Sequence, residues 1–212
     1  HYRSDRHALE HRCAAPLSWQ GGFLLALTAV HWREAWKYGV RAFRYCQHDC
    51  GHALAAIAYA ARVLGWQTRL LLEWSDDQIA ALSGVDRSMD FAGAEGEDAE
   101  ALVWIGSTAA PPAPEVLAVL EGGVWTGIAN SLSAYRRDWP DIPRIAAATR
   151  TSAGQTGVGS ASQVLSRPSP ASGELASRLI RNRRSAQAFD GVTAVSCEAW
   201  FRMLDAVMPR PA

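Results

Sequence analysis

The chain has 212 residues, 49% of them hydrophobic and 20% charged, a balance that supports a buried core and excludes a disordered polyelectrolyte. Lys plus Arg equals Asp plus Glu at 21 each, so no global field points to nucleic acid or to an anionic membrane surface. The longest apolar run, "GGFLLALTAV", is about half the length that crosses a bilayer and lacks the basic front and cleavage site of a secretory signal. Neither a membrane nor a nucleic-acid partner is expected. Cys13, Cys46, Cys50 and Cys197 are sparse and irregularly spaced, which favours reduced thiols in a cytoplasmic setting over a disulfide framework. The sequence opens at His1 without an initiator Met, and we expect an excerpt of a longer polypeptide.

In chain order, residues 23–30, "FLLALTAV", read as a buried strand because they are short, apolar and preceded by two glycines. "HWREAWKYG" has the pattern of a short helical turn closed by Gly39. From Val40 to Leu64 the chain is rich in Ala, Leu and Arg, has no Pro and stops at Gly65, which predicts one long helix. "WQTRLLLEW" predicts a strand. Ser75 with Gln78 has capping-box spacing and starts a helix through Leu82. Asp86 to Glu100 reads as an acidic surface loop, "EALVWIGS" as a strand, and "PEVLAVLEGG" as a helix between Pro114 and Gly122.

Composition changes at Thr151. "TSAGQTGVGSASQVLSRPSPASG" is mostly small and polar and reads as a linker. Its "GQTGVGSAS" is a poor match to a nucleotide-binding glycine loop, since no strand leads into it and no apolar helix follows at once. Glu174 to Arg181 then forms a basic amphipathic helix. Ser196 caps a last one, in which Trp200, Phe201, Leu204 and Met208 share a face before Pro209.

The stretch "RYCQHDCGH" gathers Cys46, Cys50, His48 and His52 within seven residues. On a helix the cysteine pair and the histidine pair are offset by two residues, about 200° around the axis. They cannot converge on one tetrahedral ion, and no metal site is expected. Cys50 leads a stripe of Leu54, Ile57, Ala61 and Leu64 that reads as the buried face. His52 is expected to be partly buried and satisfied by a backbone carbonyl. Upstream, Arg33, Lys37, Arg41 and Arg44 alternate with Trp32, Trp36, Tyr38, Phe43 and Tyr45. Periodicity leaves two readings level: basic stems lying over aromatic packing, or an electropositive, aromatic-lined wall for a flat anionic cofactor, with Lys37 and Tyr38 as its titratable edge.

"WREAWKYGVRAFRYCQHDCGHALAAIAYAARVLGW" resembles the second half of the nitroreductase superfamily, in the branch of SagB/ThcOx-type dehydrogenases that includes azoline oxidases. "HYRSDRHALE" and "WTGIANSLSAYRRDWPDIPRIAAATR" are similar to further parts of that branch. "LIRNRRSAQAFD" is similar to the start of such a domain, where an Arg-Arg-Ser motif binds the phosphate and ribityl end of FMN. The order implies a tandem protein: residues 1–150 as the C-terminal part of a first nitroreductase-like domain, 151–173 as a linker, and 174–212 as the start of a second. The fold implied is α+β, an antiparallel sheet flanked by helices, with FMN held where two units meet in a homodimer or an intramolecular pseudo-dimer.

The same resemblance implies FMN as cofactor, with Arg183, Arg184 and Ser185 on its phosphate. Paired guanidiniums offer forked donors that match phosphate oxygens; the plainer reading is a solvated basic helix terminus. The branch's Lys-Tyr motif falls on Lys37 and Tyr38, implying proton transfer beside the flavin. That role needs a lysine whose pKa is brought down, and Arg33 and Arg41 stand one turn to either side. Ala55 and Ala56 depart from the pattern, since relatives often carry Asn after "GHA". The implied activity is that of an FMN-dependent oxidoreductase, with azoline-type heterocycles in modified peptides or other small molecules as substrate. The alternatives are a catalytically inactive peptide-binding scaffold and a general NAD(P)H-dependent nitro or quinone reductase.

Overall fold

The computed structural model describes residues 1–107, 110–131, 134, 137–152 and 175–208. The chain divides into two compact units, His1–Thr156 and Gly157–Ala212. The architecture is α+β, helices with small antiparallel sheets. In the first unit β1 (Tyr2–Arg3) and β2 (Ala8–Leu9) form a short antiparallel pair. β3 (Cys13–Ala14) waits for a partner far along the chain. β4 (Gly22–Ala29) falls where the buried strand was expected, but its residues are half-buried and Phe23 is exposed, because the strand is at the edge of its sheet. α1 (His31–Tyr38) follows, a 3-10 turn over Gly39–Arg41 redirects the chain, and α2 runs over Ala42–Val63. Next come β5 (Gln67–Leu70), α3 (Asp76–Ser83), β6 (Asp98–Gly106), α4 (Leu117–Glu121), β7 (Val124–Trp125) and α5 (Asp141–Ala148).

β6 is the centre of the unit. It lies between β4 and β5, antiparallel to both, and its residues Ala101 to Ile105 are buried. Alternate side chains of a strand point to opposite faces, so a strand buried on both faces must have a layer on each. Leu102 and Trp104 pack with Leu71, Trp74 and Ile79, the last of these on α3. Val103 and Ile105 pack with Ala61 of α2, flanked by Leu25, Leu54 and Ile57. Burying a side chain such as Leu102 contributes roughly 1.5–3 kcal/mol. A third cluster, Ala35, Ala42 and Ile142, joins α1, α2 and α5; two alanines at 1% and 0% exposure let these backbones approach closely.

Several elements differ from expectation. The strand predicted over "WQTRLLLEW" ends at Leu70, because Leu71 and Trp74 both enter the core and a spacing of three cannot keep both on one face of a strand. Leu64, expected on the buried stripe, is 64% exposed, since α2 ends at Val63 and the chain turns at Leu64 and Gly65. The acidic stretch 86–100 holds a 3-10 turn over Ser88–Phe91, the start of β6, and buried Ala94 and Glu95. The helix near Pro114 is split into a 3-10 turn, Pro114–Val116, and α4.

In the second unit α6 spans Ala176–Asn182 and α7 spans Cys197–Ala206, with the Ser196 hydroxyl accepting from the Ala199 N–H. Residues 153–174, which hold "GQTGVGSAS" and nearly all of the expected linker, lie outside the described residues, as does Pro209. No helix among the described residues is long and apolar enough to cross a membrane.

Candidate functional site

Lys37 and Tyr38 end α1. Gly39 follows with φ 59° and ψ −140°, a region that essentially only glycine adopts, and a Cβ there would stand 3.0 Å from the Trp139 ring. Lys37, two residues before Gly39, is exposed. Its Nζ lies 5.0 Å from the Tyr38 ring centroid, the Tyr38 and Tyr45 rings are 4.5 Å apart, and the Arg41 guanidinium is 5.9 Å from the Tyr45 ring. A basic and aromatic ladder therefore exists at the α1–α2 corner. It is narrower than the sequence suggested: Trp36 is 75% exposed, whereas Phe43 packs toward the Ala35–Ala42 cluster. The Lys37 amine is fully exposed and held above the ordinary lysine range by the Tyr38 hydroxyl first, with a smaller contribution from Glu34. That is the opposite of the lowering a basic amine needs; Lys37 here is an ammonium donor.

Arg183 is the residue at which α6 ends, and it reaches Ser185 Oγ at 3.5 Å. Arg184 Nη1 donates to the carbonyls of Arg181 and Arg183, each at 2.8 Å. It thus caps the helix terminus through one nitrogen, and Nε and Nη2 hold its other donors. All three residues are exposed. Arg183 and Ser185 are brought together; Arg184 is partly committed to backbone.

Along "RYCQHDCGH" Cys46 is buried and Cys50 half-buried, while His48 and His52 are exposed. Burial, then the nearby carboxylates led by Glu100, pushes the Cys46 thiol up to about 11, and burial raises Cys50 as well. These are inert core thiols. His52 is not partly buried against a carbonyl as expected. It projects into solvent with Nδ1 3.5 Å from Asp49, because Gly51 and His52 occupy the side of α2 turned away from the sheet. Among the described residues no group of three or more His, Cys, Asp or Glu could hold a metal ion.

The sequence reading missed His31. It is 5% exposed at the start of α1, with Nδ1 3.1 Å from Asp98 Oδ2 and Nε2 2.7 Å from Glu100 Oε1. Gln47 of α2 donates to the other Glu100 oxygen at 2.5 Å. The register explains the aim of Glu100. Leu27 pairs with Ala101 and Thr28 with Ala99, so Glu100 is the extra residue of a β-bulge, a device that redirects a side chain. Burial alone would lower the His31 pKa, but Asp98 and Glu100 overcome it and hold the imidazole up to about 9. His31 is therefore an imidazolium at neutral pH. It lines a cleft of about 670 Å³ together with Trp32, Phe91 and Trp139. Lys37 and Tyr38 are not among the residues that line this cleft. The signal present in the sequence was "DAEALVWIG": two carboxylates at alternate positions open an otherwise apolar strand, and a carboxylate drawn under the sheet needs a donor partner.

No family model, curated protein or solved structure matches the chain.

Proposed function

We propose that the chain is part of an FMN-dependent oxidoreductase of the nitroreductase type, acting on azoline-type heterocycles of modified peptides. The observation that carries the reading is the likeness of "WREAWKYGVRAFRYCQHDCGHALAAIAYAARVLGW" to that branch, joined to the second likeness at "LIRNRRSAQAFD". The α+β arrangement is compatible with it: a long helix, α2, backs a central antiparallel strand. The exposed stretch of α2 that lacks charged side chains, between Asp49 and Arg62, supports an assembly in which two such units meet.

The donor set at the end of α6 suits a phosphate. Arg183 and Ser185 already lie together, and the Nε and Nη2 groups of Arg184 are forked donors of the kind that match phosphate oxygens. When bound, FMN supplies the hydride-accepting chemistry. Around it this chain's part is to hold charge and protons: Lys37 as ammonium donor to negative charge, and the Tyr38 hydroxyl as the neighbouring proton carrier. The exposed, protonated state of Lys37 favours a second reading, an inactive unit that binds peptide without chemistry.

Flavin titration of the full chain tests the cofactor. Hydrogen bonds to a charged group contribute roughly 1.5–3 kcal/mol, so Arg184→Ala should weaken FMN about ten- to a hundredfold while leaving riboflavin, which lacks the phosphate, unchanged. Equal losses for both flavins remove the phosphate role. A chain that takes up neither flavin belongs to the scaffold reading.

A further inference from the structure

The cleft beside His31 is built by three separate segments: the start of α1, the 85–98 stretch and residues 137–143. Each contributes one aromatic ring, Trp32, Phe91 and Trp139, and all three are half-buried. Trp139 is fixed from behind, since it packs on the Ala35–Ala42–Ile142 cluster and against Gly39. At about 670 Å³ the cleft falls in the usual range for small-molecule sites, about 300–1,000 Å³.

Its charge narrows the choice of ligand. Asp86, Glu97, Asp98 and Asp138 line it, against Arg137 and His31. His31 is already engaged by Asp98 and Glu100, and Thr28 donates to Glu97. Asp86 and Asp138 are both exposed at the rim. The Arg137 guanidinium stands 4.5 Å from the centre of the Trp139 ring, so one wall of the cleft already seats a cation of this chain in the geometry by which aromatic faces attract positive charge.

We propose that this cleft binds a small organic cation with a flat apolar body, an arylamidinium or arylalkylamine by class. Its charge is directed at Asp86 and Asp138 and its ring at Trp32 and Phe91. The assignment rests on the cleft alone and does not depend on the flavin reading.

Benzamidine and benzamide form the test pair, equal in shape and different in charge. Both are titrated into the intact chain by calorimetry, with the indole N–H resonances of the tryptophans followed in parallel. Benzamidine should bind saturably and move the Trp32 and Trp139 resonances, with benzamide about tenfold weaker or worse. The Asp86→Asn, Asp138→Asn pair, both on the exposed rim, should weaken benzamidine about tenfold. Trp32→Leu, which keeps the carboxylates, should cost about tenfold by loss of the ring face. Glu115→Gln, outside the lining, should change nothing. Three outcomes overturn the proposal: no saturable benzamidine binding, equal binding of benzamide, or full affinity in the Asp86, Asp138 double variant.

Discussion

An imidazole buried between two carboxylates has one protonation state that lets both ring nitrogens donate. For His31 that state is the imidazolium, and the linkage to stability follows from its direction. The folded value is about 9 against an ordinary histidine near 6.5, so the folded state binds the proton more tightly. The stabilisation is therefore complete below about pH 6.5 and fades as pH rises through about 9. At 1.36 kcal/mol per pKa unit the gap amounts to about 3 kcal/mol. Thermal unfolding of the wild-type chain should show a falling midpoint between pH 7 and 10. His31→Gln should start lower at pH 7 and stay flat to about pH 8.5, because an amide can still donate to one carboxylate but cannot titrate. A wild-type profile as flat as the variant's would remove the ion pair from the stability of the fold. Burial pushes the Cys46 thiol up to about 11 in the fold, so both chains lose further stability above about pH 8.5, where the unfolded thiol ionises, and the comparison is read between about pH 7 and 8.5.

At the scale of elements, the sequence was legible wherever local chemistry decides the outcome. Ser75 and Gln78 show this best: the Ser75 hydroxyl accepts from the Gln78 N–H at 3.2 Å and the Gln78 side chain accepts from the Ser75 N–H at 2.9 Å. Both bonds of the capping box follow from residues three apart. Elements decided by distant contacts were hidden. α5 was not among the expected elements, and Pro143 lies inside it. The proline occupies the first turn, where the backbone N–H groups have no helical partner to lose. β3 and β7 are two residues each and exist only as each other's partner across more than a hundred residues, which no window of sequence can show. The candidate site divides the same way. Lys37 and Tyr38 are sequence neighbours, but Tyr45 meets Tyr38 only across the α1–α2 corner, and His31 and Glu100 meet only through sheet register and a bulge. The cap also gives a measurable prediction. Ser75→Ala should destabilise the first unit by about 1 kcal/mol, within the usual range of about 0.5–2 kcal/mol for a lost N-cap. Ser75→Asp, which restores an acceptor, should recover most of that loss in denaturant titrations. Equal destabilisation by both substitutions would show that the effect comes from the burial of Ser75, at 5% exposure, and not from its cap.

For the molecule as a whole, the decisive feature is the stretch of α2 between Asp49 and Arg62, whose outer side is exposed and carries no formal charge. From Cys50 to Ala61 α2 carries no Asp, Glu, Lys or Arg. One side of it packs on Val103 and Ile105, yet Ala55, Ala56, Tyr59, Ala60 and Val63 on the other are exposed, Tyr59 at 67%. A helix resting on a core normally turns charge to the water; one that turns alanine, valine and tyrosine outward is shaped for close helix-to-protein packing. Beyond its end Leu64 and Trp66 are also exposed, with Trp66 edge-on to Phe23 at 5.9 Å. Exposed apolar side chains of this kind are what the proposed pairing of two units would bury. The chain should therefore self-associate at micromolar concentration in sedimentation velocity. Ala56→Glu and Tyr59→Lys together place charge on the exposed side without touching Ala61 or Ile57, so helix content should stay at the wild-type level by circular dichroism. The double variant should sediment as a monomer, and the weight-average mass of the wild type should fall on dilution. Exposed substitutions away from the patch, such as Glu115→Gln, should leave association intact. If the double variant associates as tightly as wild type, α2 is not the contact and the two-unit arrangement must be built through another surface.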